Sequence, residues 1–236
     1  MQHQIIPEEM TLGASSDSIA LSTKVYYVIG PSGSGKDTLI DAIRAQLPHE
    51  VVVAHRYITR PADAGGENHV SLTNEEFASR QAKGLFALHW QAHGLCYGIG
   101  VEINTWLAQG LSVVVNGSRA QLEQAKSAFP RQLIPVVIEV DASILRQRLT
   151  ARGRENSEQI EQRLQRAQAY SVADAEGCMG IEGSWVIDNS GSICASVDQF
   201  EAKRQQLKVC LELEVCSELE VCSESEVDSV LAIAAQ

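Results

Sequence analysis

Aromatic side chains are scarce: four Phe, five Tyr and three Trp make up 5% of the 236 residues. Any core is therefore mostly aliphatic, and 44% hydrophobic residues are enough to build one. No CxxC pair or Cys/His metal spacing occurs among Cys96, Cys178, Cys194, Cys210, Cys216 and Cys222. Scattered thiols of this kind suit a reducing compartment. No uncharged apolar run approaches the ~18 residues of a membrane span. The N-terminus carries Glu8 and Glu9 and lacks the basic flank and apolar stretch of a secretory signal. Bases are few, 19 Lys plus Arg against 30 Asp plus Glu, and a net charge of −11 argues against a nucleic-acid partner. The expectation is a cytoplasmic enzyme-sized chain with no membrane or nucleic-acid attachment.

What is present is unevenly spread. From Cys210 to Gln236 there are seven acids and no base. The hexapeptide ELEVCS occupies 212–217 and again 218–223, followed by ESEVDS at 224–229. This repeat reads as an unstructured acidic tail covering 209–236, because like charges along one face oppose stable pairing. Residues 1–23 read as a disordered extension, rich in small and polar residues without a helical or strand period. The folded domain is expected over 24–208.

Inside that domain short apolar runs alternate with helical spacings. Five buried strands are predicted around Val25–Ile29, Val51–Ala54, Val113–Val115, Pro135–Val140 and Trp185–Ile187. Helices are predicted over 38–47, 74–83, 101–109, 119–129, 144–152, 156–175 and 195–208, and 60–70 reads as loop. Strands alternating with helices imply an α/β fold, a parallel five-stranded sheet with helices on both faces.

Gly30-Pro31-Ser32-Gly33-Ser34-Gly35-Lys36 fits GxxxxGK between a predicted strand and a predicted helix. Glycines let backbone N–H groups converge on phosphate oxygens, and the following helix adds its positive end. Lys36 is then placed between the β- and γ-phosphates of ATP. The pattern asks for Ser or Thr next, but Asp37 stands there, followed by Thr38. A carboxylate suits Mg²⁺ as a hard oxygen ligand, so Asp37 is expected to face the metal and Thr38 the α-phosphate.

Six of the thirteen arginines fall between 146 and 166: Arg146, Arg148, Arg152, Arg154, Arg163 and Arg166. Mobile cations closing on a transferring phosphoryl group fit this region, with Gly153 as hinge and Arg152 and Arg163 in the catalytic roles. Arg146 and Arg166 read instead as surface residues pairing with Glu155, Glu158 or Glu161. Some sixty residues separate the second and third strands, more than a crossover needs. They carry Arg56, Arg60, His69, His89 and Tyr97, a cationic set suited to an anionic acceptor, although each histidine alone also fits a structural role.

The chain resembles the guanylate kinase superfamily of P-loop kinases over about 24–208, through GPSGSGK at 30–36, Thr59-Arg60-Pro61, Phe86 with Trp90, Tyr97-Gly98, RLTARGR at 148–154 and QRLQRAQ at 162–168. The resemblance implies a nucleoside-monophosphate-kinase-like sheet, an acceptor-binding lobe (about 55–100), an Arg-rich lid (about 146–166), and phosphate transfer from Mg-ATP. Three features depart from guanylate kinases. His89 stands where a glutamate reads the base, Asn116 and Gly117 follow Val115 where a carboxylate ends the third strand, and His69 replaces an acceptor-phosphate tyrosine. HRYITRP (55–61), GGENHVSL (65–72), FALHWQAHGLCYGI (86–99) and GKD (35–37) are more similar to the ribose 1,5-bisphosphate phosphokinases of bacterial phosphonate breakdown. That resemblance implies a small phosphorylated-sugar acceptor without a base. A guanylate kinase and a non-catalytic binding module are the alternatives.

Overall fold

A computed structural model describes residues 23–64, 67–153, 156–165, 167 and 183–218. The expectations placed on 1–22, Gly65, Gly66, Arg154, Glu155, Arg166, 168–182 and 219–236 lie outside these residues.

The main sheet contains β1 (Val25–Ile29), β2 (Val51–Val53), β7 (Ser112–Asn116), β8 (Leu133–Glu139) and β9 (Trp185–Asp188) in the order β2-β7-β1-β8-β9. Every pairing is parallel. Strand β1 is buried throughout because its side chains alternate between two apolar layers. Val25, Tyr27 and Ile29 face α3 (Glu102–Ala108) and α4 (Leu122–Ala128), together with Ile103, Leu107, Leu122 and Ala125. Tyr26 and Val28 face α1 (Lys36–Gln46) and α7 (Ile193–Glu218), against Leu39, Ile43, Val197 and Phe200. All five predicted strands are present, with helices on both faces.

The stretch between β2 and β7 folds into a second sheet, which the sequence reading left without strands. It contains β3 (Arg56–Ile58), β4 (Val70–Ser71), β5 (Phe86–Ala92) and β6 (Leu95–Gly100) in the order β4-β3-β6-β5. The loop expected over 60–70 thus ends in a strand at Val70, paired with Tyr57 of β3. A helix, α2 (Asn74–Ala82), packs Phe77 on Phe86 behind this sheet, with the Thr73 hydroxyl accepting from Glu76 N at its start. Strands β5 and β6 are joined at His93 and Gly94, both with positive φ (52° and 76°), the hand that matches twisted hairpin strands.

Two further helices complete the domain: α5 (Ala142–Arg152) and α6, residues 157–165. They pack on each other through Leu145, Leu149, Ile160 and Leu164. Helix α7 continues to Glu218, ten residues into the stretch read as an unstructured tail. Residues 206–218 contain no Gly or Pro and carry three Leu and three Glu, so nothing local stops a helix already started on the core.

Candidate active site

The loop from Gly30 to Lys36 leaves the carboxyl end of the central strand β1, where chain order turns from one side of the sheet to the other. Gly33 and Gly35 have φ of 93° and 85°, a conformation that side-chain-bearing residues rarely adopt. Gly35 also has no room for a side chain, since a Cβ there would lie 2.5 Å from Asn189 Nδ2. That amide donates to Ser34 O at 2.7 Å, and Ser196 Oγ donates to Asn189 Oδ1 at 2.9 Å. The start of α7 therefore fixes the loop from below, a bracing that the sequence reading missed.

Lys36 Nζ curls back over the loop and donates to Gly30 O at 2.9 Å. Burial lowers its pKa; Asp37 opposes that shift, Arg56 adds to it and Glu67 opposes it. Ser34 Oγ is buried with no hydrogen-bond partner among the described residues. Asp37 and Thr38 are exposed in the first turn of α1. A glycine-rich cradle, an orphaned hydroxyl, a lysine and an exposed carboxylate fit a nucleotide's phosphates with their magnesium.

Arg148 of α5 stands against this loop. Its Nη1 is buried without a partner among the described residues and would lie 3.7 Å from a Cβ on Gly35. Leu145 and Leu149, one turn apart, touch the place where a Gly33 side chain would stand, which pins α5 to the loop. Arg152 is exposed at the end of α5, before Gly153 with φ of 64°. Arg163 is half-buried on α6. Arg146 forms a surface ion pair with Glu161, as its spacing suggested.

Facing the loop across the cleft, Arg56 grips Glu67 with a two-pronged contact, its Nε donating to Oε2 at 2.7 Å and its Nη2 to Oε1. The Arg56 guanidinium also stands 5.1 Å over the Tyr97 ring, which stacks on Trp90. Arg60 approaches Glu67 at 3.8 Å, and its Nε is buried without a partner among the described residues. Asn116, at the end of β7, donates from one Nδ2 to Asp37 Oδ1 at 2.8 Å and to Glu67 Oε2 at 3.0 Å. One hydrogen-bonded chain thus runs from the start of α1, beside the glycine loop, to the second sheet. Glu67 is its hub, and an acid beside two glycines in the loop that follows Arg56 and Arg60 was the available signal for it.

The structure brings Arg56, Arg60 and Tyr97 together and keeps His69 beside Arg60, its Nδ1 3.3 Å from Arg60 Nη2, but separates His89 from them. His69 turns Nε2 toward Arg60 O (3.2 Å) and Nδ1 toward Glu67 O (3.1 Å), which makes it a clamp on its own loop. His89 lies between Leu88 and Trp90, both in the core cluster, so alternation sends it to the opposite face of β5. It pairs there with Gly98, whose missing side chain makes room for the Phe86 ring.

A family model described as guanylate kinase matches residues 22–189. A ribose 1,5-bisphosphate phosphokinase PhnN of Yersinia pestis is 58% identical over 156 residues, covering 66% of this chain and 81% of that one. Its counterpart in Enterobacter lignolyticus is 51% identical over 180 residues, or 76% and 90% of the two chains. A crystal structure of guanylate kinase from Anaplasma phagocytophilum superposes with a TM-score of 0.57 at 18% identity, covering 78% of this chain and 86% of that one. Among the described residues no helix is long and apolar enough to cross a membrane.

Proposed function

The chain belongs to the guanylate kinase family, among its ribose 1,5-bisphosphate phosphokinases, and we propose that it transfers the γ-phosphoryl group of ATP to the 1-phosphate of ribose 1,5-bisphosphate, giving 5-phospho-α-D-ribose 1-diphosphate. This reaction serves phosphonate breakdown in the cytoplasm. The observation that carries the reading is the juxtaposition of Arg56 and Arg60 with the phosphate loop, through Glu67, Asn116 and Asp37, in a lobe whose base-reading position, His89, points away.

The chemistry needs little from the protein beyond position and charge. The nucleophile is an oxygen of the sugar's 1-phosphate, already largely deprotonated at neutral pH because its second pKa is ~6. No general base is required. The glycine loop orients the β- and γ-phosphates with its N–H groups, and Lys36 leaves its carbonyl contacts to neutralise charge between them. Asp37 would hold a magnesium ion, whose charge would screen the triphosphate. Arg148 meets the donor phosphates from α5, and Thr38 faces the α-phosphate. Arg152 and Arg163 neutralise the transferring group from α5 and α6. Arg56 and Arg60 give the acceptor's phosphates two forks, with Tyr97 backing the first.

Purified protein with Mg-ATP and either ribose 1,5-bisphosphate or GMP tests this reading. The bisphosphate is expected to be preferred by at least ~100-fold in kcat/KM, because guanine finds no buried partner for its N–H groups. A preference for GMP would overturn the substrate, and turnover of neither would overturn the kinase.

A further inference from the structure

We propose that Asn116 and Glu67 complete the divalent-cation site begun by Asp37, with Asn116 as the positioning residue that holds the two carboxylates together. The inference rests on the reading that a metal nucleotide occupies the phosphate loop. Asp37 and Glu67 come from distant parts of the chain, yet both accept from the same Asn116 nitrogen, at 2.8 and 3.0 Å. Their oxygens can be no farther apart than those two bonds laid end to end. Two like charges this close repel unless something positive stands between them. In this structure the amide nitrogen bridges them, while Arg56 neutralises Glu67 and Lys36 lies in the field of both acids.

The other end of the same amide supplies the second observation. Asn116 is 6% exposed, and its Oδ1 is buried without a partner among the described residues. A buried carbonyl oxygen left unmatched is destabilising, so the site stands ready for a donor not belonging to the described chain. A magnesium ion keeps several waters and takes only one or two carboxylates. Asp37, exposed at the start of α1, is the direct ligand. Metal-bound waters donate to Asn116 Oδ1 and to Glu67 Oε1, which keeps one acceptor place beyond the Arg56 fork, whereas Oε2 is filled by Arg56 and Asn116. The same Glu67 orients Arg56, so the cation and the acceptor's arginine are set by one carboxylate.

The test is Mn²⁺ binding to the ADP complex, read by electron paramagnetic resonance, alongside metal-free ADP affinity. Glu67→Gln and Asn116→Leu are each expected to weaken Mn²⁺ by ~10-fold or more, as loss of outer-shell partners does, with metal-free ADP affinity within twofold of wild type. Asn116→Asp serves as the shape-conserving variant. It places three carboxylates together, so its thermal midpoint is expected to fall without metal and to recover saturably with Mn²⁺. Mn²⁺ affinity unchanged in both Glu67→Gln and Asn116→Leu would overturn the proposal, as would an Asn116→Asp midpoint indifferent to the metal. Failure of the wild type to bind ADP at all would instead defeat the phosphate-loop reading beneath it.

Discussion

On the proposed reading, the donor and acceptor halves of the site are built on different principles. The phosphate loop is seven consecutive residues whose work is done by backbone N–H groups, with Gly33 and Gly35 in the left-handed region and one lysine. The acceptor half is assembled from side chains of β3, β6, β7 and the loop before β4, and its members touch only because a second sheet brings them together. A site written in contiguous backbone tolerates little change anywhere. A site written in scattered side chains can exchange one anchor for another, which is how one fold changes its acceptor.

If that contrast holds, the largest effect belongs to Lys36. Lys36→Met is expected to lower kcat by roughly a thousandfold, the loss of one charged group from a transferring phosphoryl site. The circular dichroism spectrum should not change, since the buried ammonium bonds only carbonyls of its own loop. A loss under tenfold would mean that the phosphates do not sit on this loop. Arg56→Ala comes next. Removing a guanidinium fork should raise the acceptor KM by ~10–100-fold while the KM for ATP stays within threefold. Equal damage to both would erase the division between the two halves.

Much of this division could be read from the sequence, and the boundary of what could is physical. The five core strands are continuous apolar runs because both faces of a parallel sheet are covered, and such runs identify themselves. GPSGSGK identifies itself for the same local reason. The acceptor sheet does not: β3 has three residues and β4 two, too short for any period to register. Its longest strand did leave a trace, since Phe86, Leu88 and Trp90 alternate and His93-Gly94 is a hairpin turn. Lysine 36 was placed by pattern, whereas Glu67 and Asn116 gain meaning only once β7 and the 60–70 loop are known to face each other. Arg148 was visible as one arginine of six, but only helix phase against Gly33 and Gly35 separates it from Arg152.

The loop's bracing gives a smaller effect that sharpens the comparison from the donor side. Asn189 is 2% exposed and joins Ser34 O to Ser196 Oγ. Asn189→Ala leaves both without that partner, at an expected cost of ~1–3 kcal/mol in unfolding free energy by denaturant titration. ATP affinity should drop ~5–10-fold as the cradle loosens, with the acceptor KM unmoved. An acceptor effect of equal size would show the loop and the lobe to be one mechanical unit.

The smallest expected effect is the most discriminating, because it separates composition from geometry. His89 belongs, by sequence, to a cationic cluster with Arg56, Arg60 and His69, and it occupies the position that reads the base in guanylate kinases. In the folded chain Leu88 and Trp90 are held in the core on either side of it, so no rotation of His89 about its side-chain bonds carries it through the sheet to the Arg56 face. His89→Ala is therefore expected to change kcat and both KM values by less than twofold and stability by under ~0.5 kcal/mol, the range of surface substitutions away from special features. A larger rise in acceptor KM would mean that the acceptor reaches around the edge of β5 or that the hairpin turns over on binding. Either outcome would make the lobe a moving part rather than a fixed wall. A null result leaves the acceptor's two phosphates to arginines on one face, and accounts for a lobe that keeps the fold of a base-binding site without the means to read a base.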